Sequence, residues 1–333
     1  MSENVQDLVP AAPPASAPPK FPANWWATVV QRGALVFALI ALVAISQFFY
    51  PGFLAPENIK NILSQSAPTG IIAIGMTLVM ITRGFDLSVG STYAAGATVY
   101  ASLAAAGWPL PAAAAVTIVM GCVAGLVNGV IVTRLKVNPF VATLGTMSVF
   151  SGLALIYSKS SPFIVTTPEF TALGRASFLS IPVSVWLLVA FFAAGQLILS
   201  KTVYGRQLYA IGGNDEASRL AGLRTIALRT STYAICGACA AIGGMIIASR
   251  LGIGQADIGA TIALDAIAVV VIGGTSLLGG EGSAWRTALG LMIVAVLTNL
   301  LDSRAVSTHY QLVIKGVIVI AAVAADSLVR SRR

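Results

Sequence analysis

The sequence is poor in charge, histidine and cysteine, and each scarcity excludes something. Only 10% of its 333 residues are charged, against about 25% in an ordinary soluble domain. A chain this long with so few charges cannot cover a water-facing surface, so lipid is the solvent it needs. The single histidine, His309, rules out a metal cluster built on histidines and a Ser/His/Asp set. Of the three cysteines, Cys122, Cys236 and Cys239, the last two form a C-x-x-C inside an apolar run with no acid or histidine nearby. There they read as small helix-packing residues rather than a redox or metal pair. No G-x-x-x-x-G-K-[ST] is present, so no phosphate loop is expected. The chain is expected to carry no cofactor of its own; if ATP drives it, ATP and Mg belong to another subunit. The net charge of +8 is spread thinly, without the basic stripe and interleaved aromatics of a nucleic-acid binder.

What is present is apolar. Apolar residues make up 57% of the chain and the mean hydropathy is +0.87. Ten runs approach the ~20 residues that cross the hydrocarbon core: 33–50, 68–82, 88–106, 109–133, 140–157, 183–200, 230–250, 263–278, 284–301 and 309–328. The expected fold class is therefore an all-α polytopic membrane protein of about ten transmembrane helices. Residues 1–29 form a cytoplasmic tail, disordered over its Pro/Ala-rich first 24 residues, and 30–329 form a single membrane domain. The tail starts with Glu3 and Asp7 rather than a basic cluster, unlike a signal peptide. Trp25 and Trp26 read as an interfacial anchor before the first span.

Ten spans put both termini on one side, and the basic residues say which. With the termini inside, Lys20, Arg32, Arg83, Arg134, Lys136, Lys201, Arg206, Arg219, Arg224, Arg229, Arg286, Arg330, Arg332 and Arg333 are cytoplasmic. Lys60, Lys159, Arg175, Arg250 and Arg304 are outside, and Lys315 falls within a span. That is fourteen against five, the asymmetry the positive-inside rule requires. The expected location is a bacterial inner membrane with both ends in the cytoplasm.

Two breaks interrupt this pattern. Gly84-Phe85-Asp86-Leu87-Ser88-Val89-Gly90-Ser91 and Gly279-Gly280-Glu281-Gly282-Ser283 each place an acid among glycines before a fresh helix. They read either as an internal repeat or as two unrelated tight turns.

The longest cytoplasmic connection, 201–229, is the most informative stretch. Asn214 is a good N-cap, Asp215 and Glu216 sit where the helix dipole favours negative charge, and Gly222 is placed to end the helix. The spacing predicts a helix of about seven residues with Ala217, Leu220 and Ala221 on one face. Such a helix serves either to dock in a partner's groove or as a solvated surface turn.

At these residues the chain resembles the permease subunits of ABC importers. Glu216-Ala217-Ser218-x-x-x-Gly222 is similar to that family's coupling motif, and Gly205-Arg206 through Asn214 resembles the ribose/xylose/arabinose/galactose class. The likeness covers nearly all of 30–328. It runs through Gly84–Ser91, Asn128-Gly129, Val137–Gly145, Leu264–Ala268, Ile272–Ser276 with Gly279-Gly280, and Lys315-Gly316. The chain departs from the pattern at Ala263, where the class carries an acid, and at Arg286, where it carries glycine. The resemblance implies a monosaccharide importer working by alternating access. It also implies a separate ATPase gripping Gly205, Arg206, Asn214, Asp215, Glu216, Ala217 and Gly222, a second permease copy, and a periplasmic substrate-binding protein.

Polar groups within spans face a bundle interior or a watery path. Asn128, Thr143, Asp265, Asn299, Gln311 and Lys315 are the candidates. Asp265 and Lys315 either line a path for a hydroxylated substrate, or lie at the outer interface and snorkel, respectively. Glu57, Glu169 and Asp257 are external acids suited to steering a binding protein. Other readings stay open: an amino-acid or nucleoside permease of the same superfamily, or an ion-coupled secondary transporter using Asp86, Asp265 and Lys315.

Overall fold

A computed structural model describes residues 25–331. Residues 1–24 of the expected tail, with Lys20, Arg332 and Arg333, lie outside the described residues, as do the side chains of Trp25 and Trp26.

The chain is helical nearly throughout, in the order α1 (Trp25–Phe49), α2 (Pro56–Ile81), α3 (Val89–Ala105), α4 (Leu110–Thr133), α5 (Pro139–Ser158), α6 (Pro168–Arg175) and α7 (Val183–Lys201). There follow α8 (Val203–Gly213), α9 (Asp215–Leu220), α10 (Thr225–Leu251), α11 (Ile262–Ile272), α12 (Ala284–Ser303) and α13 (Thr308–Ser331). The mostly helical fold agrees with the all-α expectation, and the strands are confined to two short ladders. Phe163–Ile164 (β1) pairs antiparallel with Ile253–Gly254 (β4), and Ser177–Phe178 (β2) with Ile181–Pro182 (β3). These short ladders satisfy backbone groups in connections where no helix does so.

Among the described residues, α2, α4, α5, α7, α10 and α12 are long and apolar enough to cross a membrane. The chain is thus a multi-pass membrane protein. Several expected spans have different bounds: α1 begins at Trp25 rather than 33, so Trp25 and Trp26 fall within the helix instead of before it, and α10 begins at Thr225 rather than 230. The run placed at 263–278 is helical only to Ile272, because Gly273 and Gly274 follow and Gly274 adopts φ +77°; eleven residues reach only about 16 Å. The run placed at 68–82 starts at Pro56 instead. Pro68 lacks an N–H, yet the helix continues through it, which neighbouring helices make tolerable within a bundle.

The long α10 is the hub, packed on α2, α3 and α4. Its most extensive contact is with α4, where Gly121, Gly125 and Gly129 recur every fourth residue and face Gly237, Tyr233 and Thr230. A side chain at Gly125 would overlap the Tyr233 carbonyl; lacking one lets the two backbones touch, as small-xxx-small faces do in lipid. The opposite face of α4 exposes Val116, Val119, Val123, Val127 and Val130, an apolar stripe at helical spacing suited to hydrocarbon. Gly125→Ala should force α4 off α10 and cost about 1–3 kcal/mol, to be read as a lowered melting temperature of the detergent-solubilised protein. Cys236 and Cys239 are buried and unpaired, with Gly75 against both, as packing residues should be.

The contacts define two ends. At one, Ile81 of α2 meets α8 and the 279–282 turn, and Arg229 near the start of α10 lies 3.9 Å from Asp215 of α9. At the other, Asn58 of α2 exchanges hydrogen bonds with Asn299 of α12 at 3.1 and 3.0 Å, and Arg304 reaches Phe49. There α6 caps the C-terminus of α10: Ser249 Oγ donates to Phe170 O at 2.6 Å and Arg175 Nε donates to Arg250 O at 2.7 Å.

Candidate functional site: a polar cavity and a gripped helix pair

A cavity of about 160 Å³ opens between α2, α11, α12 and α13. Asp265, Asn299 and Lys315 of the expected path residues line it. Lys315 Nζ lies 3.1 Å from Asp265 Oδ1 and 3.2 Å from Oδ2, so the two charges answer one another instead of snorkelling apart. Gln65, Ser66, Thr69 and Thr298 add polar groups to a lining shared with the apolar Ile62, Leu291, Val294 and Ala295. The cavity therefore offers hydroxyls, amides and a closed ion pair to a solute. Gln65 and Ser66 were not anticipated because they precede the run beginning at 68. Their signal was there: Gln65, Ser66 and Thr69 fall on one helical face.

The other three expected path residues lie elsewhere. Asn128 is fully buried and donates to Asp86 Oδ1 at 3.2 Å and to Ser88 Oγ at 2.6 Å. Ser88 in turn donates to Asp86 Oδ1 through its N–H at 3.0 Å and its hydroxyl at 2.7 Å. This knot ties the break between α2 and α3 to α4, and leaves Asp86 Oδ2, Asn128 Oδ1 and Tyr233 OH buried without partners. Thr143 is buried and donates back to Pro139 O. Gln311 donates to Asp302 Oδ1 at 2.8 Å and to Val306 O at 2.9 Å, stitching the α12–α13 turn.

The expected short helix is present as α9, six residues long. Asn214 Oδ1 accepts from Ala217 N at 2.9 Å. At the far end Gly222 takes φ +84°, its N–H donates to Arg219 O and that of Leu223 donates to Ser218 O. These are the two bonds of a Schellman cap. Only Ser218 of α9 is buried; Leu220 is 80% exposed, and Glu216, Ala217 and Ala221 are exposed as well. The face that carries the helix's apolar residues is uncovered. A polar groove beside it, about 580 Å³, is lined by Lys136, Asp215, Glu216, Arg219 and Arg229 among others.

Helix α8 was not anticipated, although Tyr204, Leu208 and Ile211 recur at helical spacing and Leu208 and Ile211 are buried; the glycines at 205, 212 and 213 mask the signal. Its only local start signal is Thr202, whose hydroxyl accepts from Gly205 N at 3.1 Å. Gly205 packs directly on the backbone of Ile198 and Leu199, and Arg206 is exposed. Tyr209 OH donates to Gly282 O at 2.7 Å, and Tyr204 shares a 2.7 Å bond with Ser231. Burial raises both phenols above their ordinary pKa, so both are protonated at neutral pH and able to donate.

The glycine-rich break at 279–283 meets the end of α2: Gly280 N–H donates to Ile81 O at 2.9 Å, with Gly279 and Gly280 at φ +79° and +77°. The break at 84–91 has a different neighbour, since Gly90 packs backbone to backbone on Gly259. Segment 252–261 thus dips along α3, carrying the exposed Asp257 with it. Glu57 and Glu169, both exposed, lie at the end remote from α9.

The family of branched-chain amino acid transport system / permease components matches residues 58–323. The chain belongs to this permease family. Among its relatives, the ribose import permease protein RbsC of Haemophilus influenzae is 37% identical over 300 residues, covering 89% of this chain and 93% of the relative. The L-arabinose ABC transporter permease protein AraH of Azospirillum brasilense is 32% identical over 98% of this chain and 96% of its own. The galactose/methyl galactoside import permease protein MglC of Escherichia coli is 34% identical over 92% and 97%. The earlier resemblance to sugar-importer permeases therefore holds over almost the whole chain. As a permease component, this protein is part of a transporter and not an enzyme.

Proposed function

We propose that this permease moves a monosaccharide, a pentose or a hexose, inward across the bacterial inner membrane by alternating access, driven by a separate ABC ATPase subunit. The observation that carries the reading is the pairing of α9 with the polar cavity. A helix capped at both ends presents an uncovered apolar face at one end of the bundle, and a cavity with several hydroxyl and amide groups and no net charge opens between helices that reach that end. Sugars offer many hydroxyls and no charge, which suits walls of Gln65, Ser66, Thr69, Thr298 and Asn299 beside a charge-compensated pair. A zwitterionic amino acid needs uncompensated charges, and the named relatives handle ribose, arabinose and galactose.

In this reading the chain crosses the membrane ten times with both termini cytoplasmic. The exposed α9, with Gly205, Arg206 and Asn214 through Gly222, faces the ATPase, which binds ATP and Mg. Glu57, Glu169 and Asp257 face a periplasmic binding protein, and a second copy of the permease completes the path. The test is uptake of labelled ribose, arabinose and galactose into proteoliposomes holding the permease, its ATPase and its binding protein. Uptake of at least one sugar that requires ATP is expected. Uptake driven by an ion gradient without the ATPase would overturn the reading in favour of a secondary transporter.

A further inference from the structure

We propose that Arg83 is the positioning residue that makes the walls of the polar cavity move with the ATPase-facing helices. The inference rests on the functional reading above and assigns the transmission step within it.

The last carbonyls of a helix lack intrahelical partners. In α8 two of them are taken by one side chain: Arg83 Nε donates to Gly212 O at 2.7 Å and Arg83 Nη2 donates to Gly213 O at 2.6 Å. A guanidinium there also answers the negative end of the helix dipole, and its planar fork fixes direction as a lysine's single ammonium does not. Arg83 holds φ 63°, a left-handed conformation that residues with side chains adopt at a cost. That turn stops α2 and sends the arginine side chain toward α8.

The contact is a three-way junction. The Arg83 stem lies over Gly279, where any Cβ would strike its Cγ. Gly212 is wedged so closely between the Ile81 carbonyl and the Gly280 N–H that a side chain there would overlap both. Tyr209 adds its bond to Gly282 O. The C-terminal part of α8 is thus held against the end of α2 and the turn joining α11 to α12, and α9 follows after the single residue Asn214.

Those same helices form the cavity. Gln65, Ser66 and Thr69 project from α2, Asp265 from α11, and Thr298 and Asn299 from α12. Thr69 stands twelve residues from the junction, about 18 Å along α2. Continuous helix and hydrogen-bonded turns are the stiff elements through which displacement passes between distant sites. A shift of α9 reaches the cavity through this junction, and the Arg83 side chain bridges the end of α2 to the end of α8 within it.

The experiment measures sugar moved per ATP hydrolysed in proteoliposomes of the complete complex. Arg83→Met keeps the stem over Gly279 and removes the donors; Arg83→Lys restores one donor. With Arg83→Met, the ATPase should still co-purify and ATP turnover should stay within about twofold, while sugar per ATP falls at least tenfold. The half-saturating sugar concentration should not change, and Arg83→Lys should give an intermediate ratio. A wild-type ratio in Arg83→Met overturns the proposal while leaving the functional reading intact. So does parallel loss of ATPase binding, ATP turnover and transport, which marks a folding or docking residue. If neither variant inserts, Arg83 is a folding residue and the proposal falls. A wild-type complex that hydrolyses ATP and moves no sugar overturns the functional reading, and this proposal with it.

Discussion

Glu216→Lys should abolish sugar uptake while leaving the permease inserted and abundant. Glu216 is exposed in the first turn of α9, where a carboxylate complements the positive end of the helix dipole and a lysine opposes it, each worth about 0.3–1 kcal/mol. That is too little to unfold a bundle whose core lies elsewhere, so loss of protein is not expected. The side chain lines the groove that also holds Lys136, Asp215, Arg219 and Arg229, and reversing its charge leaves Asp215 as the only one of these five residues carrying a carboxylate, against four cations facing any docked partner. Uptake in the proteoliposome assay should fall at least a hundredfold, with the permease eluting normally by size exclusion and the ATPase no longer co-purifying. Unchanged uptake coupled to ATP hydrolysis would remove α9 from the role assigned to it.

The second large effect is expected at the ion pair. Lys315→Met leaves Asp265 facing the cavity without its cation. The two side chains are only 22% and 16% exposed, and removing one member of a buried pair costs about 3–5 kcal/mol. Partial access to water places the expected loss at the lower end, about 3 kcal/mol, seen as a marked drop in thermal stability. Transport should fall with it, because a lone carboxylate in the cavity attracts cations that compete with a neutral solute. The double change Asp265→Asn with Lys315→Met removes both charges and should recover most of the stability, since an uncharged pair of similar size has no unpaired ion to solvate. A double variant no more stable than Lys315→Met would show that the charges are not coupled.

The apolar bundle, the capped helix and the family were all legible in the residues, because each is written locally. Hydropathy acts run by run, so lipid-embedded segments announce themselves, and α4, α5, α7 and α12 lie within a few residues of their expected bounds. A cap is made between neighbours, so Asn214 and Gly222 predicted both ends of α9. Helix α8 escaped notice because its main restraints come from Ile81, Arg83, Gly280 and Gly282, far along the chain.

The cavity shows the same division at the level of single residues. Which polar groups occur in the spans could be read directly, but not which of them meet. Asp265 and Lys315 pair across fifty positions, and Arg83 grips α8 across 129. Asn128, Thr143 and Gln311 looked equivalent to Asp265, Asn299 and Lys315, which line the cavity, until packing turned them toward Asp86, Pro139 and Asp302. Helix formation and capping depend on neighbours within one or two turns, so composition and spacing suffice for them. The direction a side chain finally faces depends on how separate helices close on each other, through approaches such as Gly125 to Tyr233 and Gly212 to Ile81, and that is settled only when the bundle packs.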